Sequence, residues 1–169
     1  MTAALLITGT VGAGKTSVAE AVGDALAQRA VPHAVLDVDW LRRSWPSPPG
    51  DPFNAAITLQ NLRAVAANFR RAGADRLILA GVVESVAERD AYQVALAMPL
   101  TVCRLRASTV RDRLTARHRA DPAGLAWHLN RSGELDRILD AAKVEDVVVD
   151  TTTATIKEAA EAVLAAVGW

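Results

Sequence analysis

The residues of this chain with the clearest chemical potential form a glycine-rich segment near its amino terminus. Residues 9–16, Gly-Thr-Val-Gly-Ala-Gly-Lys-Thr, match the pattern G-x-x-x-x-G-K-[ST] in full. The glycines let the backbone turn tightly and point several N–H groups inward, and the helix that follows adds partial positive charge at the same place. The segment therefore predicts a phosphate-binding loop, or P-loop, for a nucleoside triphosphate.

Two side chains of the P-loop are expected to act on the phosphates and on a metal ion. Lys15 should reach the β- and γ-phosphates, and Thr16 should offer its hydroxyl to Mg²⁺. The alternative, a glycine-rich turn without a ligand, is disfavoured because the motif is complete and lies between a predicted buried strand and a helix. ATP and Mg²⁺ are the predicted cofactors, and the predicted nucleotide-binding residues of this segment are Gly9, Gly12, Ala13, Gly14, Lys15, Thr16 and Ser17.

A pair of carboxylates, Asp37 and Asp39, follows the second predicted strand. Alternate residues of an extended chain point the same way, and ligands of open α/β sheets bind at the carboxyl ends of the strands. We therefore predict that both carboxylates face one cleft. Asp39 would orient an acceptor hydroxyl and take its proton, while Asp37 would assist it or serve the Mg²⁺ site. The alternative is that the two residues cap the following helix.

Weaker signals also concern the acceptor. Glu84 comes just past the third predicted strand, which lacks the terminal Asp that many P-loop enzymes use for Mg²⁺, so Glu84 is a candidate for the acceptor or, through water, for the metal. Trp40, Trp45 and Phe53 flank a proline-rich loop over residues 44–52. These aromatic side chains either wall an apolar acceptor pocket or anchor the loop.

Several segments resemble the adenylylsulphate kinases, in order along most of the chain. Residues 36–42, Leu-Asp-Val-Asp-Trp-Leu-Arg, resemble their L-D-G-D-N-[VL]-R, residues 61–63 resemble their N-[IL]-R, and residues 121–125 resemble their D-P-K-G-L. The resemblance implies that Arg42 and Arg63 bind the acceptor, and their charge favours an anionic one. The F-T-G-I-D-x-P-Y-E segment of the sulphonucleotide site is missing from this sequence, so adenylylsulphate itself is not the expected acceptor.

Two further resemblances place the chain among the nucleotide and shikimate kinase-like P-loop enzymes. Residues 37–41 resemble the G-V-D-S-L of chloramphenicol phosphotransferase, whose Asp is the catalytic base, and this again selects Asp39. Residues 113–117 resemble the R-[LI]-x-x-R that opens the lid of adenylate-kinase-like enzymes. The resemblance implies that Arg113 stacks on adenine, that Arg117 meets the phosphates, and that a helical lid covers about residues 113–133. Neighbouring arginines between residues 104 and 131 form a cluster able to neutralise a polyphosphate.

Strands and helices alternate along the whole chain. The apolar periodicity and the turn residues predict strands over 3–8, 34–37, 76–81, 100–105 and 146–150. They predict helices over 15–30, 54–72, 86–97, 108–117, 125–142 and 155–167, the fifth of these beginning after a loop over 119–124 and breaking near Gly133. This order predicts an α/β fold of the P-loop NTPase type, a three-layer α/β/α sandwich with a five-stranded parallel sheet, in a single domain over residues 1–169.

Composition excludes several other classes of protein. The 169 residues carry 19 basic and 19 acidic side chains, so the basic excess typical of nucleic-acid binders is missing. The apolar run at the amino terminus is too short for a membrane span, and Cys103, the single cysteine, allows no intrachain disulfide. We expect a cytoplasmic monomer or homodimer whose partner is a small-molecule acceptor.

Together these patterns favour an ATP-dependent kinase that moves the γ-phosphoryl group to a hydroxyl of a small molecule. Two alternatives stay open, a P-loop nucleotide hydrolase and a nucleotide-binding regulatory module, because all three share the P-loop.

Overall fold

A computed structural model of the chain describes residues 2–169. Its strands are β1 (Ala3–Thr8), β2 (His33–Asp37), β3 (Arg76–Ala80), β4 (Leu100–Arg106) and β5 (Val147–Asp150). They form one parallel sheet in the order β2-β3-β1-β4-β5. Residues 4–7 of the central strand β1 are fully buried, because helices cover both faces of the sheet.

Seven helices connect and cover these strands. They are α1 (Lys15–Gln28), α2 (Val38–Leu41), α3 (Ala55–Arg71), α4 (Val86–Leu96), α5 (Val110–Arg117), α6 (Pro122–Ala142) and α7 (Ile156–Val167). One core cluster holds side chains of α1 and α7 against the sheet, and a second holds side chains of α3, α4 and α6 against the opposite face. This architecture confirms the predicted three-layer α/β/α fold with a five-stranded parallel sheet.

All five strands end at the same edge of the sheet, since they are parallel. The P-loop follows β1, the one-turn helix α2 follows β2, and Glu84 lies four residues beyond the end of β3. Helix α5 follows β4, and the turn over residues 151–155 follows β5 and leads into α7. Chemistry-bearing residues from distant parts of the sequence therefore meet at this edge.

Two local predictions about α6 are wrong. The helix begins at Pro122, inside the predicted loop, because the Asp121 side chain accepts a hydrogen bond from the Gly124 N–H and proline is well suited to the first helical position. It also continues through Gly133 without a break. No helix within residues 2–169 combines the length and the apolar composition that a membrane span requires.

Candidate active site

The P-loop joins the end of β1 to the first residue of α1. Its backbone has positive φ at Gly12, which glycine adopts at little cost. A Cβ atom at Gly12 would lie only 2.9 Å from Cγ of Leu114, which is buried on α5. Helix α5 therefore packs directly on the P-loop at Gly12, where the loop has no side chain.

Lys15, the first residue of α1, folds back over the loop. Its Nζ donates hydrogen bonds to the carbonyl oxygens of Gly9 at 3.1 Å and Thr10 at 2.9 Å. Burial lowers the pKa of Lys15, and the carboxylates of Asp39 and Asp37 act in the opposite direction. The ammonium group thus lies within the field of both predicted acidic site residues.

Thr16 and Asp37, the two residues predicted to serve the metal, are in direct contact. The Thr16 hydroxyl donates to Oδ2 of Asp37 at 2.9 Å. A hydroxyl and a carboxylate oxygen this close fit the oxygen chemistry of Mg²⁺, which commonly takes one or two protein ligands and completes its shell with phosphate and water oxygens. Among residues 2–169, no group of three or more His, Cys, Asp or Glu side chains is placed so that it could hold a metal ion. A dedicated all-protein metal cage is therefore not found in the described part of the chain.

The acidic pair is held by a helical turn, and the extended arrangement predicted for it is wrong. Strand β2 ends at Asp37, whose Oδ1 accepts a hydrogen bond from the Asp39 N–H at 2.9 Å and caps α2. The capping alternative therefore holds for Asp37, and this residue contacts Thr16 through its other oxygen at the same time. The Asp39 side chain is 70% exposed and lies 3.6 Å from Nε of Arg42.

A cavity of about 250 Å³ lies between the P-loop, α5 and the start of α7, and we call it the Arg113 cavity. Arg113 donates a hydrogen bond to the Thr151 carbonyl at 2.9 Å, which holds its guanidinium group beside the turn after β5. The planar guanidinium group and the apolar residues of α7 border a space next to the P-loop. The lining residues are Gly12, Ala13, Gly14, Val18, Arg113, Thr151, Ala154, Thr155, Ile156 and Ala159.

The other arginines of the predicted cluster have different environments. Arg117 is exposed at the end of α5 and is not among the residues that line the Arg113 cavity. Arg104 is 1% exposed and makes ion pairs with Asp136 and Asp140 of α6, and Arg106 pairs with Asp140 as well. The sequence cluster is therefore not a single polyphosphate site, because Arg104 and Arg106 bind acidic side chains of this chain.

A second cavity of about 250 Å³ is lined by Arg42, the residue that pairs with Asp39, and we call it the Tyr92 cavity. Arg42 donates to the Tyr92 hydroxyl at 3.3 Å, and Arg131 of α6 pairs with Glu84 at 2.5 Å. The Glu84 N–H in turn donates to Oε2 of Glu88 at 2.7 Å. The lining residues are Arg42, Phe53, Ala55, Leu59, Glu84, Glu88, Tyr92 and Arg131.

Two asparagines hold the Arg42 end of this cavity in place. Nδ2 of Asn61 donates to the Leu41 carbonyl at 2.8 Å, and Nδ2 of Asn54 donates to the carbonyl oxygens of Arg42 at 2.8 Å and Ser44 at 3.0 Å. Within the segment 61–63, Asn61 thus positions α2. Arg63 is exposed on α3 and does not line the cavity.

Of the aromatic residues around the proline-rich loop, only Phe53 lines the Tyr92 cavity. Trp40 and Trp45 are exposed and lie outside that lining. A larger cavity of about 720 Å³ lies between β4, β5 and α6, but it borders the P-loop only at Thr10. Its one arginine, Arg106, pairs with Asp140, and neither Lys15 nor the predicted acceptor residues line it, so we do not include it in the candidate active site.

Sequence reasoning missed Glu88 and Tyr92 as residues of the site, and it placed Arg131 only in the arginine cluster. The sequence Ser85-x-x-Glu88 predicts a helix start, and the Ser85 hydroxyl does accept from the Glu88 N–H at 3.1 Å. However, the Glu88 carboxylate binds the Glu84 N–H and lines the cavity. No local pattern indicates that Arg131, 47 positions further along the chain, pairs with Glu84.

A comparison with protein families shows to which family most of the chain is similar. The family described as adenylylsulphate kinase matches residues 1–147, most of the chain. No curated protein sequence matches the chain significantly.

Solved structures support the same fold at low sequence identity. The Deinococcus radiodurans tunicamycin resistance protein is 21% identical with a TM-score of 0.69, covering 99% of this chain and 96% of that one. A gluconokinase from Sinorhizobium meliloti 1021 is 19% identical with a TM-score of 0.60, covering 98% and 91%. The Mycobacterium tuberculosis APS kinase, in complex with AMPPNP and APS, is 20% identical with a TM-score of 0.57, covering 99% and 98%. Because these identities are low, the structures show a shared fold and nothing more.

Proposed function

The chain belongs to the adenylylsulphate kinase family and is a P-loop kinase, and from this premise we propose that it transfers the γ-phosphoryl group of ATP to a hydroxyl of a small molecule with Asp39 as the base. The observation that supports the proposal most directly is the meeting of four side chains at one edge of the sheet. Thr16 contacts Asp37, and the charges of Asp39 and Asp37 both act to raise the pKa of Lys15.

The P-loop residues would bind the triphosphate in this scheme. Backbone N–H groups of residues 9–17 surround the phosphates at the start of α1. Lys15 exchanges its hydrogen bonds to the Gly9 and Thr10 carbonyls for phosphate oxygens, which places its charge where negative charge accumulates. Thr16 and Asp37 would hold Mg²⁺, which would supply further positive charge to the phosphates when bound.

Asp39 would act on the acceptor. Its carboxylate accepts a hydrogen bond from the acceptor hydroxyl and takes the proton as the oxygen attacks the γ-phosphorus, while the bond to the β–γ bridging oxygen breaks and ADP leaves. Arg42, 3.6 Å from Asp39, keeps that carboxylate between α2 and the Tyr92 cavity. We assign the acceptor to the Tyr92 cavity because Arg42 and Glu84, two of the predicted acceptor residues, both line it.

The Arg113 cavity is the proposed site of the adenine ring. It adjoins the P-loop at Gly12–Gly14, and Arg113 provides a planar cation over which a base can stack. We further propose that α5 and the start of α6, within about residues 113–133, move as a lid that brings Arg117 to the phosphates. Such closure would exclude water and so limit hydrolysis of ATP.

The test of this proposal is ADP formation in the presence of a panel of hydroxyl-bearing acceptors. Lys15→Ala should lower kcat/KM by at least about 100-fold, because a preorganised charge on the transferred group is lost. Asp39→Asn should lower kcat by about 10²–10⁴-fold, because the amide cannot take the proton.

Asp24→Asn is the matched control for that test, since Asp24 is exposed on α1 and remote from the P-loop; its kcat should stay within twofold of the unmodified protein. An Asp39→Asn protein that keeps its kcat would show that Asp39 is not the base. Steady phosphate release without any acceptor would instead indicate a hydrolase.

A further inference from the structure

Two consecutive residues of α6, Arg131 and Ser132, contact the two halves of the proposed active site. The Ser132 hydroxyl donates a hydrogen bond to Oγ1 of Thr10 in the P-loop at 3.0 Å, and both side chains are buried. The Arg131 guanidinium group pairs with Glu84 in the Tyr92 cavity at 2.5 Å. Consecutive side chains of a helix point about 100° apart, so a single turn of α6 reaches both places.

The contact between Ser132 and Thr10 bears on the lysine of the P-loop. The Thr10 hydroxyl accepts from Ser132 and donates to the Val11 carbonyl at 3.2 Å, so it holds α6 and the loop backbone together. The carbonyl oxygen of the same threonine accepts a hydrogen bond from Nζ of Lys15 at 2.9 Å. A shift of Ser132 would therefore displace the backbone that Lys15 contacts before its ammonium group turns to a phosphate.

The contact between Arg131 and Glu84 bears on the acceptor. Both side chains line the Tyr92 cavity, and the Glu84 N–H donates to Oε2 of Glu88, which lines it as well. An acceptor that fills this cavity would lie against these groups and exchange some of their hydrogen bonds for its own. Because Arg131 belongs to α6, a change in its contact with Glu84 acts on the helix that also holds Thr10.

The two residues lie at the point where α6 enters the core. The buried residues of this helix are Ser132, Leu135 and Leu139, and no residue within 122–131 is buried. The part of α6 that belongs to the proposed lid therefore has no anchor in the core before Ser132. A segment with few buried contacts moves at low cost, so a ligand that acts on residues 131–132 acts where the exposed and the packed parts of the helix meet.

From this arrangement, and on the premise of the proposed function, we infer that Arg131 and Ser132 couple the Tyr92 cavity to the P-loop. An acceptor that changes the contact between Glu84 and Arg131 changes the affinity of the P-loop for ATP. ATP changes the affinity for the acceptor by the same factor, because coupling between two binding sites is reciprocal. Ser132 is a positioning residue, since it acts on phosphate binding through Thr10.

The experiment is a double-mutant cycle on the affinity of the full chain for the ATP analogue AMPPNP with Mg²⁺, measured by calorimetric titration without any acceptor. Glu84→Gln weakens the pairing with Arg131 and should lower the affinity about 5-fold through α6. Ser132→Ala should lower it by a similar factor, because Thr10 loses a donor. In the Ser132→Ala background, Glu84→Gln should change the affinity less than about twofold, since the connection to the P-loop is already broken. Glu134→Gln is the matched control, because Glu134 pairs with Arg131 from outside the cavity, and its effect should stay below about twofold.

Equal effects of Glu84→Gln in the two backgrounds would overturn the inference, because Glu84 would then act on the nucleotide by another route, such as a water molecule on its Mg²⁺. An effect below twofold in the unmodified protein would overturn it as well. Thr10→Val removes the other partner of Ser132 and should cancel the effect of Glu84→Gln in the same way, whereas Thr58→Val, which removes a buried hydroxyl on α3, should preserve it.

Urea unfolding reports whether each variant is folded. Binding of AMPPNP does not depend on phosphoryl transfer, so the coupling and the proposed function can fail separately. A panel of acceptors that yields no ADP would count against the proposed function and would leave these affinities as they are.

Discussion

Glu88 lies in the Tyr92 cavity with its carboxylate partly removed from water. Burial raises the pKa of Glu88, while the hydrogen bond from the Glu84 N–H and the charge of Arg42 act in the opposite direction. The neutral form is therefore favoured in the folded protein relative to the unfolded chain, where glutamate has a pKa of about 4.3. This raised pKa links the charge of the cavity to the stability of the fold.

The linkage gives a prediction with a definite sign. Between about pH 4.3 and the raised pKa of Glu88, the folded state binds more protons than the unfolded state, so stability falls as pH rises through this window. Glu88→Gln keeps an acceptor for the Glu84 N–H and removes the titration. The free energy of unfolding of Glu88→Gln minus that of the unmodified protein should therefore increase from pH 4 to pH 7 in urea titrations. A difference that decreases over this range would mean that the hydrogen bond and Arg42 outweigh burial.

Helix α5 owes its place at the active site to a contact with the P-loop backbone. Leu114 packs where Gly12 has no Cβ atom, and Arg113, the neighbouring residue, borders the proposed adenine site. The position of the whole helix thus depends on one glycine for two reasons, a positive φ and the lack of a side chain.

Gly12→Ala and Gly50→Ala separate these two reasons. Both glycines have positive φ, 85° at Gly12 and 81° at Gly50, but a Cβ at Gly50 meets no atom within 4 Å. Gly50→Ala should lower the free energy of unfolding by about 1–2 kcal/mol through backbone strain alone and leave ATP binding unchanged. Gly12→Ala should cost about 1–3 kcal/mol more through overpacking against Leu114 and weaken ATP binding at least about 10-fold. Calorimetric titration and urea unfolding measure both effects, and equal losses of affinity would refute the contact with α5.

Arg104 joins strand β4 of the sheet to helix α6 of the layer that covers it. It extends from β4 with its side chain 1% exposed and binds Asp136 and Asp140, one turn apart on α6. Asp140 is held charged by this contact, since the Arg104 hydrogen bond is the main cause that lowers the pKa of Asp140. Arg131, which lines the Tyr92 cavity, lies on the same helix. By holding α6 against the sheet, Arg104 therefore helps to position Arg131.

Arg104→Met should therefore lower the free energy of unfolding by about 1–3 kcal/mol. The expected cost is below the 3–5 kcal/mol typical of broken buried pairs, because Asp136 and Asp140 are half exposed and can be hydrated, and the contact to the mostly buried third partner, Glu145, is longer, at 3.4 Å. Arg106→Met is the control on the same strand, since Arg106 pairs with Asp140 from a half-exposed position and should cost less than about 1 kcal/mol. Urea unfolding compares the two variants. Equal losses in the free energy of unfolding would show that the burial of Arg104 does not strengthen its ion pairs.

The fold could be predicted because its signals are local features of the sequence. The P-loop is contiguous, so its glycines, Lys15 and Thr16 can be identified without knowing the rest of the molecule. Strands buried on both faces and helices with one apolar face leave periodic patterns that do not depend on long-range contacts. The wrong predictions, the extended Asp37–Asp39 pair and the break at Gly133, occur where a capping side chain or a continuous helix overrides the local signal.

The sequence by itself therefore determined that this chain is an α/β P-loop protein and where its predicted triphosphate site begins, because both follow from short-range chemistry. Only the tertiary structure shows which residues meet in the Tyr92 cavity, the proposed acceptor site. Arg42 meets Tyr92 across 50 positions and Arg131 meets Glu84 across 47. Whether an arginine is available to an anion depends on which carboxylates the fold places beside it, and that pairing is decided by the packing of α4 and α6 rather than by residue type.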